Sequence, residues 1–400
     1  MDTTTAGIIC EYNPLHLGHV WHIEKTRLAL GENCAIVCVM SGNFVQRGDL
    51  AIFNKHARAK AAILCGADLV LELQTPYVLS SAEGFADACV CILDSLGVCD
   101  YISFGSESGD IGALKEAAEA IASKKADSLT KEWLDTGVSY AVAQQKAADF
   151  ILGERSEVLK YPNNLLGIEY IKSLNARKSS MQSITIKRTG DKHDSDTGLS
   201  ASALRKMLYN GDMPWEFMPD AAVKVYMEEL SAGRGPISMK QCEQAILSRL
   251  RAAKGFSELP GAAEGLEHRF MKYAMSEPSI KTFLENVKTK RYTMSRLRRM
   301  LMCACLGITV ADTTKPPPYI RVLAMNRTGM DILAAARKKK RLPIIIKPAS
   351  AKKLSGRASE LFYKEAAATD FYTLAYPDEK KRNGGQEWRQ TPWQFIIPNS

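Results

Sequence analysis

The first half of the chain alternates short apolar runs with stretches of helical spacing. The runs that resemble buried strands are residues 7–10, 35–40, 69–73, 101–104 and 184–187. Helical spacing separates them at residues 20–30, 55–65 and 81–96. Strand and helix in alternation predict a parallel sheet with helices on both faces. This part of the chain is therefore predicted to be a doubly wound, Rossmann-like α/β domain.

The second half has a different pattern. The strand signal fades beyond about residue 215, and helical periodicity with charged faces follows at residues 240–253, 267–276 and 291–305. Gly and Pro at residues 232–236 mark the best linker, and three prolines at 316–318 mark a second break. A short late strand is expected near residues 342–344. We expect an α/β domain over residues 1–233 and a mainly helical domain over residues 234–400, since 400 residues exceed one ordinary core.

Composition places the chain among ordinary folded proteins. Hydrophobic residues make up 46% and charged residues 24%. The N-terminus resembles neither a signal peptide nor a membrane span, so a cytoplasmic protein with no membrane partner is expected. The ten cysteines form no CxxC pair and mostly lie in apolar runs, which indicates reduced, structural thiols. The oligomeric state is left open.

Positive charge is concentrated in the second half. The formal net charge is +9 with a pI near 8.9, which favours a polyanionic partner without proving one. The basic residues between 265 and 300 are Arg269, Lys272, Lys281, Lys288, Lys290, Arg291, Arg296, Arg298 and Arg299. Only Glu267, Glu277 and Glu285 oppose them. A solvated helix face and a nucleic-acid surface both fit this run of charge.

Two histidines follow the first predicted strand, in the order His16, Gly18, His19. Ligands of open α/β sheets bind at the carboxyl ends of the strands, where a helix N-terminus presents free N–H groups to phosphate. Gly18 permits close approach of the backbone, and two imidazoles at a helix start can stabilise the charge on a departing pyrophosphate. A helix cap, a core histidine or a metal site with His22 are the alternatives. No completing metal ligand is evident, so no metal site is predicted.

A second motif occupies residues 198–205. Two hydroxyls, at Ser200 and Ser202, stand at a predicted helix N-terminus, and Arg205 follows one turn later. An ordinary N-cap with a surface arginine explains it equally well in isolation. Combined with HxGH, the motif resembles the second signature of the HxGH nucleotidyltransferases, in which hydroxyls and arginine hold the β- and γ-phosphates. We therefore expect His16, His19, Ser202 and Arg205 to be catalytic.

Several stretches together resemble the bacterial tRNA(Met) cytidine acetate ligase family of that superfamily. They are residues 7–19 (GIICEYNPLHLGH), 41–48 (SGNFVQRG), 66–73 (GADLVLEL), 104–107 (FGSE), 162–170 (PNNLLGIEY), 265–269 (GLEHR) and 288–300 (KTKRYTMSRLRRM). The resemblance implies that ATP and acetate form an acetyl adenylate and pyrophosphate. The exocyclic N4 amine of the wobble cytidine of elongator tRNA(Met) then attacks the acyl carbon. ATP is the implied cofactor, with Mg²⁺ accompanying it.

The resemblance also implies which residues contact ATP. They are Ile9, Cys10, Glu11, Tyr12, Asn13, Pro14, Leu15, His16, Leu17, Gly18, His19, Val20, Trp21 and His22, with Gly105, Asn163 and Arg188 further along. Each of the last three has a physical rationale, since glycine lets backbone pass close to a base, an amide both donates and accepts, and arginine is a fixed cation. A turn residue at Asn163 and a surface ion pair at Arg188 remain alternatives.

Substrate contacts are expected at two places. Asn43, Gln46 and Arg47 follow the second strand at the same sheet edge, and we assign them to the acetate or cytidine pocket. Lys290, Arg291, Arg298 and Arg299, beside Tyr292 as a stackable ring, are expected to hold tRNA. The sequence departs from the family at Gln74, where proline is usual, and this leaves that turn's role open.

Two other functions remain possible at this stage. A nucleotidyltransferase that adenylates a phosphorylated metabolite would share HxGH and the serine–arginine motif, but would have no use for a basic helical half. A non-catalytic RNA-binding protein would have no physical reason to keep His16, Gly18, His19, Ser200, Ser202 and Arg205 together.

Overall fold

The computed structural model describes residues 3–138, 140–188, 200–263 and 265–395. The strands are β1 (Thr5–Cys10), β2 (Ala35–Ser41), β3 (Phe44–Val45), β4 (Asp49–Leu50), β5 (Leu69–Leu73), β6 (Tyr101–Ser106), β7 (Gln182–Lys187), β8 (Ile320–Asn326), β9 (Ile344–Ile345) and β10 (Trp393–Phe395). The helices of the first half are α1 (Leu17–Leu30), α2 (Lys55–Leu64), α3 (Thr75–Val78), α4 (Ala82–Leu96), α5 (Ile111–Ile121), α6 (Lys124–Asp135), α7 (Tyr140–Leu152) and α8 (Pro162–Arg177). Those of the second half are α9 (Ala201–Asn210), α10 (Asp220–Ser231), α11 (Glu243–Ala252), α12 (Leu266–Ser276), α13 (Ile280–Val287), α14 (Met294–Leu306), α15 (Val310–Thr313), α16 (Arg327–Lys339) and α17 (Gly356–Thr373).

A mostly parallel sheet forms the centre of the molecule. Its strand order is β10-β8-β5-β2-β1-β6-β7, with β9 beside β8. Strands β5, β2, β1, β6 and β7 are parallel, and the register places Cys10 of β1 opposite Met40 of β2. The predicted doubly wound α/β fold is thereby confirmed. The predicted strands all occur, and each lies within two residues of its expected start and end.

The second half is mainly helical, as expected, but it also returns to the sheet. Strand β8 pairs with β5 in antiparallel orientation, and β10, near the end of the described chain, pairs with β8. Of these late strands, the sequence pattern predicted only one, near residues 342–344, and it corresponds to β9. The boundary expected between residues 233 and 234 is therefore not reflected in the sheet, which uses strands from both sides of it.

Two apolar clusters cover the two faces of this sheet. Alternate residues of β2 enter different clusters, with Ile36, Cys38 and Met40 on one face and Val37 and Val39 on the other. The first face packs against α1, α2, α9 and α10, and the second packs against α4, α8 and the helices from α11 onward. This alternation is what the period of two along a strand requires when both faces are covered.

The carboxyl ends of the parallel strands gather the predicted site residues at one edge. The HxGH segment follows β1, the β3–β4 hairpin follows β2, Glu107 follows β6 and Arg188 follows β7. No helix within the described ranges is long and apolar enough to cross a bilayer. All ten cysteines are free thiols.

Candidate functional site

The loop from β1 to α1 is held in place by residues from distant parts of the chain. Tyr12 adopts a φ of 46°, a left-handed conformation that is costly for a bulky residue and turns the chain sharply after the strand. The side chain of Asn13 accepts a hydrogen bond from the Ile52 N–H (2.8 Å), and the Leu15 N–H donates to the Tyr226 hydroxyl (3.0 Å). These bonds fix the backbone that leads into the two histidines.

At the start of α1, the Nδ1 atoms of His16 and His19 each accept a hydrogen bond from a backbone N–H group. Nδ1 of His16 accepts from the Gly18 N–H (3.1 Å), and Nδ1 of His19 accepts from the His16 N–H (3.2 Å). The ring centroids lie 3.8 Å apart. A neutral imidazole that accepts at Nδ1 carries its proton on Nε2, so each ring keeps one N–H donor for a ligand. A Cβ at position 18 would lie 3.0 Å from the His16 ring, so any larger residue there would push that ring out of place.

The histidines of this site are neutral at physiological pH. Burial, followed by the nearby Arg188 guanidinium, lowers the pKa of His16 and the pKa of His22 to about 4. Burial and the neighbouring His16 also lower the pKa of His19 well below its ordinary value. Arg188 therefore lies close enough to all three rings to give the site positive charge without protonated imidazoles. A bound polyanion would find one fixed cation and two N–H donors here.

His22 faces the sheet. Its Nε2 lies 3.1 Å from the Ser103 hydroxyl on β6, and that hydroxyl also lies 2.7 Å from the hydroxyl of Thr26. Among the described residues, no group of three or more His, Cys, Asp or Glu side chains is placed to hold a metal ion. This geometry therefore gives His22 a hydrogen-bonding role against β6.

Of the residues expected to contact ATP, Gly105 lies beside Arg188, and Asn163 binds Glu107, which follows β6. A Cβ at Gly105 would lie 3.3 Å from Cγ of Arg188, so the two residues are in contact. The Asn163 side chain donates to Glu107 (2.7 Å), and Glu107 also accepts from the Asn164 N–H (2.9 Å). Glu107, which the sequence reading did not single out, thus fixes the start of α8. Its place in the FGSE stretch at a strand end was the available signal.

The serine–arginine motif lies beside the HxGH loop. Ser200 caps α9, accepting from the Ala203 N–H (3.3 Å), and Ser202 is exposed in the first turn. Arg205 donates through Nη1 to the Asn13 carbonyl (2.6 Å), and its charge acts on Glu11 and Asp49. Residues 198 and 199 of the motif lie outside the described residues. Contact of Ser202 and Arg205 with phosphate stays a prediction.

The three residues expected in the substrate pocket lie at or beside the β3–β4 hairpin and differ in their exposure. Asn43 is buried, its Oδ1 accepts from the Lys55 N–H (2.9 Å), and its Nδ2 donates to Thr369 (3.3 Å). Both polar atoms of its amide thus already bind protein groups, and contact of Asn43 with substrate stays a prediction. Gln46 is half-buried and Arg47 is exposed, so both remain available at this edge.

Arg58 of α2 ties the ends of β1 and β2 together, a role that the sequence reading missed. The side chain is fully buried and donates to the carbonyls of Phe53 (3.0 Å) and Ser41 (3.1 Å) and also to those of Glu11 and Gly42. A buried guanidinium with carbonyl acceptors on both strand ends holds the mouth of the site in one geometry. An arginine inside an alanine-rich helix was the only signal in the sequence.

The basic segment of the second half lies against the hairpin. Gly48 has a φ of +76°, and a Cβ there would lie 2.3 Å from the Arg299 nitrogen of α14. Arg298 faces Asp49 at 3.6 Å, while Lys290 and Arg291 are exposed. The hairpin and the expected tRNA face are thus in direct contact.

Two residues of this basic segment are less exposed than Lys290 and Arg291. Tyr292 is buried with Arg296 over its ring, which corrects its expected role as an exposed stacking ring. Arg299 is half-buried, which lowers its pKa, and its contact with tRNA stays a prediction.

Comparisons with known proteins give a consistent picture. The family model described as HIGH Nucleotidyl Transferase matches residues 3–387. The chain is 36% identical over 410 residues to the tRNA(Met) cytidine acetate ligase of Acetivibrio thermocellus, covering 96% of this chain and 98% of that one. It is 39% identical over 386 residues to the ligase of the same name from Caldicellulosiruptor saccharolyticus, covering 94% and 95%. The crystal structure of Thermotoga maritima TmcAL bound with alpha-thio ATP superposes with a TM-score of 0.91 at 33% identity, covering 99% of this chain and 100% of that chain.

Proposed function

The chain belongs to the HIGH nucleotidyl transferase family and, within it, to the tRNA(Met) cytidine acetate ligases, and from this premise we propose that it acetylates a cytidine of tRNA(Met) at the expense of ATP. The observation that carries the proposal is the pair His16 and His19 at the start of α1, each with its Nδ1 bound to backbone and with no partner for its Nε2–H among the described residues. The ATP analogue in the similar Thermotoga structure supports a nucleotide at this site.

The first half-reaction activates acetate. An acetate oxygen attacks the α-phosphorus of ATP, the bond from that phosphorus to the bridging oxygen breaks, and pyrophosphate leaves with the added negative charge. The Nε2–H groups of His16 and His19 and the guanidinium of Arg188 stabilise that charge as it grows. Neutral imidazoles suit this role, because they donate hydrogen bonds without having to lose a proton.

Mg²⁺ belongs to the proposal as the ion that accompanies ATP. It would neutralise charge on the phosphates and would be held mainly by phosphate oxygens and water, so it would require no cage of protein ligands. The histidine N–H groups and arginines at this edge suit the phosphates rather than the metal.

The second half-reaction transfers the acetyl group to tRNA. The N4 amine of the wobble cytidine of elongator tRNA(Met) attacks the acyl carbon, and AMP leaves. The exposed Lys290 and Arg291 would contact the phosphate backbone, and their segment continues into α14, which contacts the hairpin that carries Gln46 and Arg47. A reducing, cytoplasmic setting fits ten free thiols.

Mass spectrometry tests this function directly. The chain is incubated with ATP, labelled acetate and tRNA(Met), and the digested nucleosides are analysed. Labelled N4-acetylcytidine and acetate-dependent pyrophosphate release are expected, and both should vanish in a His16→Ala, His19→Ala double variant. Pyrophosphate release that ignores acetate but needs a phosphorylated metabolite would contradict the proposal and favour a metabolite nucleotidyltransferase.

A further inference from the structure

The charged groups at the sheet edge fall into two sets. Besides burial, Arg188 lowers the pKa of His16, His19 and His22. Arg47, Arg58 and Arg205 act instead on Glu11, which follows β1 directly. The Glu11 carboxylate accepts a hydrogen bond from the Gln46 N–H of the β3–β4 hairpin, which we assign to the acetate or cytidine pocket. Glu11 therefore lies beside the pocket proposed for the second substrate.

The Glu11 carboxylate has one oxygen engaged and one oxygen without a partner. Oε1 accepts from the Gln46 N–H at 2.7 Å. Within the described ranges, no donor lies within hydrogen-bonding distance of Oε2, and no cation lies within 4 Å of the carboxylate. Glu11 is half-buried, and its Oε2 atom is partly exposed to solvent. This oxygen is therefore oriented but open to a ligand.

The two other carboxylates along this edge are already occupied. Glu107 accepts from the Asn163 amide with one oxygen and from the Asn164 N–H with the other. Asp49 accepts from the Leu50 N–H (2.9 Å) and faces Arg298 at 3.6 Å. Neither has an oxygen as free as Oε2 of Glu11. The histidines are poor proton acceptors here, since their Nδ1 atoms are occupied and their pKa values are low.

The surroundings of Glu11 also suit a group that gains and loses a proton. Burial raises its pKa, and this outweighs the Gln46 N–H and the cations Arg58, Arg205 and Arg47, which lower it. Burial raises the pKa of Cys89 of α4 and of Tyr170 of α8, and the charge of Glu11 adds to both rises. A base is most effective when its pKa approaches the working pH.

We propose that Glu11 is the general base of acyl transfer and takes the proton from the cytidine amine through Oε2. This inference rests on the proposed function. The amine lone pair forms the N–C bond to the acyl carbon while one N–H bond breaks and its proton passes to Glu11. The tetrahedral intermediate then expels AMP by breaking the acyl C–O bond, and the phosphate takes that electron pair. Glu11 later returns its proton to water.

The test separates the two half-reactions. The Glu11→Gln variant keeps an oxygen acceptor for the Gln46 N–H but cannot take a proton. Acetate-dependent exchange between ATP and pyrophosphate measures adenylation. Transfer is measured in a single turnover from preformed acetyl adenylate to tRNA. The Asp49→Asn variant removes the other nearby carboxylate and is the matched control.

Transfer in Glu11→Gln should fall by about 10²–10³-fold, while adenylation falls much less. In the parent, the transfer rate should fall as the pH drops through the pKa of Glu11, and this dependence should be absent from the residual rate of the variant. Glu11→Asp should restore part of the transfer, and Asp49→Asn should transfer like the parent.

Three results would overturn the inference. They are transfer by Glu11→Gln at the parental rate, equal loss of transfer and adenylation in that variant, and loss of transfer in Asp49→Asn alone. A parent that shows no acetate-dependent exchange would instead remove the proposed function itself, and the inference would fall with it.

Discussion

Alanine at Gly48 tests whether the β3–β4 hairpin and α14 must touch. Gly48 has a φ of +76°, and an L-residue in that region is strained by about 1–2 kcal/mol. The added Cβ would also lie 2.3 Å from the Arg299 nitrogen and 2.5 Å from the Arg298 carbonyl carbon, whereas nonbonded atoms prefer about 3.5–4.0 Å. Both neighbours are backbone, so the two elements must move apart by about 1 Å. Such overpacking costs about 1–3 kcal/mol. The total expected loss in the free energy of unfolding is about 2–5 kcal/mol.

Gly307→Ala is the control for the backbone term alone. Gly307 ends the same helix with a φ of +66°, and nothing lies within 4 Å of the position that its Cβ would take. Its loss should be about 1–2 kcal/mol. Urea denaturation of the two variants at equal protein concentration gives the difference, which isolates the contact between the hairpin and α14. Equal losses in the free energy of unfolding would refute the reasoning, since they would show that the hairpin and α14 can move apart without destabilising the protein.

Gly48→Ala also has an expected kinetic signature. The hairpin carries Gln46 and Arg47, and α14 continues the segment that carries Lys290 and Arg291. Moving them apart should raise the KM for tRNA more than the KM for ATP. Steady-state kinetics with each substrate varied in turn measures this. A rise confined to the KM for ATP would place the effect on the nucleotide side instead.

The other expectations concern charge, pH and the strand ends. Lys290→Glu and Arg291→Glu should each weaken tRNA binding while adenylation persists. Each should also reduce the slope of log affinity against log salt concentration by about 0.7–0.9, as measured by filter binding. Lys352→Glu, at another exposed lysine, is the control. His56 has both ring nitrogens buried without partners in the described chain, and burial lowers its pKa to about 3. The unfolded chain therefore binds the proton first, and the parent should lose stability as the pH falls from 6.5 towards 3. His56→Leu should lose less over that range in urea titrations, and identical slopes would contradict the assignment. Arg58→Lys should cost about 1–3 kcal/mol for each carbonyl left without a donor. Arg58→Lys should also weaken ATP binding measured by calorimetry. An unchanged affinity would mean that the ends of β1 and β2 keep their positions without the Arg58 guanidinium.

Local sequence pattern was sufficient for the strands and helices that surround the nucleotide site. Strand β5 occupies the residues that were predicted for it, because a short run with four apolar residues out of five, after Gly and Asp, favours a buried strand. Helix α1 begins three residues earlier than predicted, because His16 caps it and Gly18 is tolerated in its first turn. The position of the histidine pair was predictable because the HxGH stretch follows a strand-like run and precedes helical spacing.

Features that depend on distant partners were not visible in the sequence. Strand β8 pairs with β5, some 250 residues away, and nothing in a local window of apolar residues indicates an antiparallel partner. Nothing in the sequence around Asn43 indicates that its amide donates a hydrogen bond to Thr369, which is far away along the chain. Tyr292 was expected at the surface because charges surround it in sequence, yet it is buried with an arginine over its ring.

A buried cluster of charges explains why the end of the chain returns to the sheet. Lys55 Nζ lies 2.6 Å from both Glu72 and Glu387, and Glu387 also faces Arg321, all with side chains no more than 2% exposed. Breaking such a buried set by removing one partner costs about 3–5 kcal/mol, because the remaining charge is left without compensation. A Cβ at Gly42 would lie 2.6 Å from Glu72, so the cluster lies directly beneath the turn that leads into the hairpin. The segment that contributes Glu387 therefore supports the turn before the hairpin, so residues near both ends of the chain share one buried cluster.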